Sequence, residues 1–358
     1  MNFNFLFLKT LRILLLPFSF IYALIIFVRN WCFDRKILTT VSFNLPIICV
    51  GNLAAGGTGK SPMVEFLIKK LKDRFQVAVL SRGYMRKTKG YALADDETTA
   101  LDIGDEPMQF HSKFPDVAIA VGEERVEAVP QLLHDRPHTQ AIILDDAFQH
   151  RSVRAGLNIL LTDYNNLFTR DWFLPTGDLR DQKKSYRRAQ IIVVTKCEKD
   201  FSLKERNDTI REIRPLENQQ IFFSCIRYGT PYHIITKEPF QINETIEVLL
   251  VTGIANPAPL KKYLDENSQA YYEIDYSDHH IFSIDDLKGI IRKFNNIQAK
   301  QKVILTTEKD AVRLLKFQHE MKDLPFFVIP IEPGFLFHEE QRFTDLIATF
   351  IRDFNYQS

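Results

Sequence analysis

Residues 45–75, LPIICVGNLAAGGTGKSPMVEFLIKKLKDRF, constrain the fold more than any other stretch. An apolar run, Ile47 to Val50, enters a glycine-rich turn. Lys60-Ser61 then open a segment in which Met63, Val64, Leu67, Ile68 and Leu71 recur at three and four, the buried face of a helix. Strand, glycine turn, lysine, hydroxyl and helix in this order make a phosphate-binding loop. Lacking Cβ atoms, Gly56, Gly57 and Gly59, with Thr58 among them, can turn backbone N–H groups toward one anion. The helix start adds partial positive charge. Lys60 is placed to reach the β- and γ-phosphates and the Ser61 hydroxyl to ligate Mg²⁺. The strict pattern has glycine where this chain has Ala54, and a glycine-rich turn that binds nothing is the alternative.

Further apolar runs follow at Val77–Leu80, Val117–Val121, Ala141–Leu144, Asn158–Leu161 and Ile191–Val194, with helical patterns between several of them. That alternation implies a doubly wound α/β sheet, mostly parallel, whose ligands gather at the carboxyl ends of the strands. Arg82, Asp105, Asp145 and Asp146 all fall at such ends. An apolar strand running into Asp145-Asp146 is the Walker B pattern, in which a carboxylate holds Mg²⁺ directly or through water. The segment Ile221 to Phe240 shows no helical period and reads as an extended linker. A second α/β pattern follows it, with strands at Val248–Val251, Tyr271–Ile274 and Val303–Leu305. The expected division is an N-terminal segment to residue 36, a phosphate-loop domain over 37–225, a linker over 226–245 and a smaller α/β domain over 246–358. The stripe Phe343, Leu346, Ile347, Phe350, Ile351 and Phe354 closes the chain as the core face of a helix.

Residues 3–28 carry only two charges, Lys9 and Arg12. The uninterrupted apolar part, Ile13 to Val28, is shorter than the roughly 20 residues of a spanning helix, and Pro17 is expected to kink it. No small-x-small cleavage site follows, and Arg29, Arg35 and Lys36 favour retention on the cytoplasmic side. The segment reads as an anchor embedded in or lying on a bilayer, with a single span as the second reading. Forty-six basic against forty-five acidic residues leave none of the surplus that marks a nucleic-acid binder. Four scattered cysteines without a C-x-x-C pair suit a reducing compartment and argue against structural zinc.

The motifs GNLAAGGTGKSP, SRGY, GDEP, DDAFQHR, LPTGDLR, SDHH and TTEKDAVR occur in that order behind an apolar N-terminus. Together they resemble the tetraacyldisaccharide 4′-kinases, the lipid A kinases of Gram-negative bacteria, across nearly the whole chain. The resemblance implies an ATP- and Mg²⁺-dependent kinase on the cytoplasmic face of the inner membrane. Its acceptor would be the lipid tetraacyldisaccharide 1-phosphate, and its product lipid IVA. A monomer acting at a membrane surface is expected. The resemblance further implies that Asp105 of GDEP is the base and His279 its orienting partner. Glu106 and Asp145, with Asp146 beside them, are the expected Mg²⁺ ligands along with Ser61. Gln149 and His150 are placed to contact phosphate or acceptor, and Arg82 and Arg125 to offset phosphate charge. Lys309 matches the family signature without a derivable role. Ala147 stands where many relatives have glycine, a change that touches loop geometry alone.

A phosphate loop by itself also allows a nucleotide-dependent switch or assembly factor. Thr195-Lys196-Cys197-Glu198 matches the guanine-specifying T-K-x-D poorly, so a GTP preference lacks support. A transporter subunit is a weaker reading still, because one apolar segment makes no pore.

Overall fold

The structure is a computed structural model that describes residues 12–354. In chain order its strands are β1 (Ile47–Asn52), β2 (Val77–Ser81), β3 (Ala92–Leu93), β4 (Ala118–Val121), β5 (Ala141–Asp145), β6 (Leu157–Asp163), β7 (Ile191–Thr195), β8 (Gln220–Tyr228), β9 (Tyr232–His233), β10 (Glu247–Thr252), β11 (Ala270–Asp275), β12 (Lys302–Thr307), β13 (Phe326–Ile329) and β14 (Ile331–Phe335).

Nine of them form one sheet in the order β14-β8-β7-β6-β1-β5-β2-β4-β3. The strands from β8 to β4 run parallel, and β14 and β3 close the two edges antiparallel. Both faces of the sheet are covered, so its central strands are buried along their whole length, β1 and β5 at every residue. Alternation along β1 divides two cores: Ile48 and Val50 pack with Met63 and Leu67 on one side, Ile47 and Cys49 with Leu144 and Phe148 on the other. The helix Lys60–Leu71 buries all five residues of its predicted stripe.

The second sheet has five strands, β11-β10-β12-β13-β9, with only β9 antiparallel. Here the structure departs from the expected boundaries. The stretch read as a linker contains β8, a nine-residue strand of the first sheet, and β9, an edge of the second. The chain then returns: β14 pairs with β8, and the helix Glu340–Arg352 packs beside the Lys60–Leu71 helix. Residues 331–354 therefore belong to the first domain rather than to the second. The cause is the aromatic cluster of Phe66, Phe222, Phe335 and Phe343, with ring centroids 4.4 to 6.2 Å apart. Its members lie far apart in the chain, and none carries a local signal of that pairing.

The N-terminal helix spans Leu16–Asp34. Pro17 sits in its first turn, where no N–H is required, so it starts the helix rather than kinking it. Its buried residues are the polar Ser19 and Asn30. Ser19 Oγ donates to Thr176 Oγ1 at 2.7 Å, and Asn30 Nδ2 to Asp181 Oδ1 at 2.7 Å. Phe18, Phe20, Ile21, Leu24, Ile25 and Val28 face outward. Residues 1–11, including Lys9, lie outside the described region.

Candidate active site

The loop from Leu53 to Gly59 leaves β1 at the centre of the large sheet, at the carboxyl end where β1 lies between β6 and β5. Gly56 takes φ +106° and Gly59 φ +84°, conformations that L side chains rarely adopt. A Cβ added at Gly56 or Gly57 would meet nothing within 4 Å, so the loop faces open space of the kind a phosphate fills. Thr58 is turned the other way. Its hydroxyl accepts from Asn52 Nδ2 at 2.8 Å, and its carbonyl accepts from Thr195 Oγ1 at 2.9 Å. Its N–H donates to the Gly56 carbonyl at 3.0 Å, so side chain and backbone together hold the loop's shape.

The loop forms one wall of a cavity of about 910 Å³ lying between the two domains. Lys60, Ser61, Arg82, Glu106, Asp145, Asp146, Gln149 and His150 line it from the first domain, and His279 and Lys309 from the second. With Thr58, ten of the expected site residues thus join the glycines around one space. Asp105 does not line it, and neither does Arg125. Arg125 is fully buried, donating through Nη1 to the carbonyl of Gly122, with Nε and Nη2 lacking partners among the described residues. Burial pulls its pKa down to about 10, and its charge acts on the site from beneath.

The three carboxylates expected at the cation differ. Asp145 is buried, accepts from Ser81 Oγ at 3.0 Å, and is pushed up to about 6 by burial and by the Asp146 charge. Asp146 turns away through a positive φ of 46° and accepts from Arg180 at 2.7 and 3.1 Å, with Lys60 Nζ 3.7 Å distant. Burial opposes its ionisation, but Lys60 and Arg180 outweigh it and hold Asp146 below the usual carboxylate range. Glu106 pairs with Lys309 at 3.1 Å. Among the described residues no three acidic, histidine or cysteine side chains converge as a ready metal cage. Mg²⁺ does not need one, since it keeps waters and binds through one or two carboxylates plus phosphate. A desolvated carboxylate at Asp145, in the same cavity as the Ser61 hydroxyl, fits that requirement.

Gln149 Nε2 donates to the Asn52 carbonyl at 2.6 Å, and its own carbonyl accepts from Arg29 of the N-terminal helix at 2.7 Å. His150 is driven down to about 4 by burial and by Arg125, Arg82 and Arg29, so at neutral pH it meets a ligand uncharged.

Next to His279 the second domain touches the GDEP helix. His279 Nδ1 lies 3.4 Å from Asp105 Oδ2. Two residues without an assigned role complete the junction. Lys309 Nζ lies 3.1 Å from His279 Nε2 as well as from Glu106, and Arg313 bonds Asp105 Oδ2 through Nε at 2.9 Å and Nη2 at 2.7 Å. Arg180 was also unassigned; it braces the loop through Asp146 and Asn52. Arg180 ends the motif LPTGDLR and Arg313 ends TTEKDAVR, which is the only sequence signal either carries.

A phosphate loop on a parallel sheet, a Walker B aspartate, and an Asp–His contact across the cleft define a nucleotide-dependent phosphotransferase of two α/β domains. The comparisons narrow the class. The profile of the family described as Tetraacyldisaccharide-1-P 4′-kinase matches residues 11–352, and the chain belongs to that family. It is 42% identical to the tetraacyldisaccharide 4′-kinase of Bacteroides thetaiotaomicron over 95% of this chain and 93% of that protein. With the enzyme of the same name from Flavobacterium johnsoniae it shares 43% identity, over 96% and 98% of the two chains. Its fold matches the crystal structure of LpxK from Aquifex aeolicus in complex with ATP at a TM-score of 0.74 and 27% identity, covering 95% of this chain and 99% of that one.

Proposed function

We propose that this chain transfers the γ-phosphoryl group of ATP to the 4′-hydroxyl of tetraacyldisaccharide 1-phosphate, yielding lipid IVA, at the cytoplasmic face of the inner membrane. The observation that carries the reading is the contact of Asp105 with His279, which lines the same cavity as the phosphate loop. A nucleotide switch needs only loops that sense phosphate. A kinase needs a base for its acceptor, and a sugar hydroxyl is a poor nucleophile until its proton has somewhere to go.

The backbone of Gly56–Gly59 and the start of the Lys60–Leu71 helix hold the phosphates, and Lys60 draws charge from the transferring group. Mg²⁺ held by Ser61 and Asp145 would neutralise charge between the β- and γ-phosphates. Asp105 takes the hydroxyl proton as the hydroxyl oxygen attacks in line. The N-terminal helix explains access to a lipid that stays in the bilayer. It spends its polar face on the protein and offers its apolar face outward. At 19 residues and mean hydropathy 1.6 it suits an embedded or surface-lying anchor.

The test is an end-point assay with ATP, Mg²⁺ and tetraacyldisaccharide 1-phosphate, the lipid read by mass spectrometry. The lipid should gain one phosphoryl group. Asp105→Ala should lower turnover by about 10²- to 10⁴-fold, the range for loss of a general base. Lys60→Ala should abolish turnover and weaken ATP binding as well. ATP consumed with the lipid unchanged would refute the acceptor assignment.

A further inference from the structure

The helix Glu308–Leu314 carries Lys309 and Arg313 four residues apart, hence on one face. That face lies against the start of the helix Asp105–Lys113, where Arg313 meets Asp105 and Lys309 meets Glu106. Arg313 is almost wholly buried, its side chain 6% exposed, and is aimed from behind by Asp310. Asp310 is in turn fixed by the Gly253 N–H at 3.0 Å and the Thr307 hydroxyl at 2.7 Å. So the guanidinium arrives at Asp105 already oriented by its own domain.

The donors divide Asp105 unequally. Arg313 Nε, Arg313 Nη2 and His279 Nδ1 all converge on Oδ2, whereas Oδ1 has no hydrogen-bond partner among the described residues. Arg313 Nη2 also lies 3.0 Å from His279 Nδ1. On the other side of the ring the Lys309 ammonium lies 3.1 Å from Nε2, so the imidazole is held between two cations of the second domain.

We propose that Arg313 and Lys309 are positioning residues for the transfer step: Arg313 saturates Oδ2 and leaves Oδ1 as the oxygen that takes the acceptor's proton, while Lys309 fixes the rotation of the His279 ring. The proposal rests on the kinase reading. In the step, the acceptor oxygen bonds to the γ-phosphorus and the γ-phosphorus–bridging-oxygen bond breaks. Its electron pair leaves with ADP, and the hydroxyl proton passes to Asp105 Oδ1. Both cations come from the second domain and both acids from the first, so the base is oriented only where the two domains meet.

The experiment is a double-mutant cycle on the full chain in detergent with ATP and tetraacyldisaccharide 1-phosphate. It compares wild type, Arg313→Ala, Arg313→Lys, Lys309→Met, Asp105→Ala and Asp105→Ala/Arg313→Ala. Arg313→Ala should lower kcat by about 10²-fold, within the range for general-base catalysis, and leave KM for ATP within about threefold. The double variant should be no slower than Asp105→Ala alone, since Arg313 acts through that carboxylate. Guanidinium at low millimolar concentration should restore Arg313→Ala, and ammonium should not. Lys309→Met should lower kcat by about tenfold, below the range for loss of the base itself, because it acts one residue further back. If Arg313→Ala fails to fold, Arg313→Lys carries the test, because an ammonium cannot make the paired bonds to Oδ2 and kcat should still fall. Losses that multiply with Asp105→Ala, or that fall equally on ATP affinity, would give Arg313 a structural role and overturn the proposal. An inactive wild type would instead refute the kinase reading.

Discussion

Asp145 and Asp146 are adjacent in the chain and opposite in environment. One is desolvated behind Ser81 and pushed up to about 6; the other swings through a left-handed backbone into two cations and is held low. A second contrast lies behind the site. Lys113 Nζ bonds Glu65 Oε2 at 2.6 Å and Glu308 Oε1 at 2.5 Å, so two buried carboxylates share one ammonium. Burial and the Glu308 charge raise Glu65 to about 7. A carboxyl raised in the folded state keeps its proton where the unfolded chain has lost it. Its contribution is therefore fully present below the ordinary carboxylate range and is lost as pH climbs through the folded value. Glu65→Gln removes that titration. From about pH 5 to about pH 8 the wild-type melting temperature should fall relative to that of the variant. Parallel curves in calorimetry would show that Glu65 does not titrate in this window.

The elements near the site were largely legible from periodicity. The strand–loop–helix of the phosphate loop needs only local patterning and glycines free to take positive φ, and it forms where the sequence places it. The N-terminal helix was legible as apolar but not as inverted, because which face turns inward depends on Thr176, Arg180 and Asp181, more than 140 residues away. Its outward face leads to a prediction. Phe20 and Leu24 are 73% and 53% exposed and one turn apart. Changing both to Glu should lower partitioning onto phospholipid vesicles by at least about tenfold, since each removes several buried methylene equivalents from the bilayer. Stability in detergent should shift by less than about 1 kcal/mol, as for other exposed positions. Unchanged sedimentation with vesicles would sink the anchor reading.

At the scale of the molecule, the expected cut after residue 225 runs through β8, and the structure makes that cut costly. Without β14 the strand becomes an open edge, and without the final helix the rings of Phe66 and Phe222 lose Phe335 and Phe343. A fragment ending at residue 225 should therefore lack a cooperative thermal transition, whereas the full chain unfolds cooperatively. A sharp calorimetric peak from the fragment would restore the simpler boundary. Closing the fold through its own C-terminus also ties the second domain at both ends, by β8 and by β14, so it meets the first domain at a defined place.

The sequence by itself determined the phosphate loop, the alternating α/β pattern, the Walker B strand and many of the polar groups that line the cavity beside the loop. These depend on contacts within a few residues, where period and residue type carry the information. Tertiary structure alone decided that Arg125 lies beneath the cavity, that Arg313 and Lys309 hold the Asp105–His279 pair, and that the chain's end completes its first sheet. Each of these is a pairing across tens to hundreds of residues. Such pairings are set by the packing of apolar faces and the desolvation of buried charge, which leave no periodic trace in the chain.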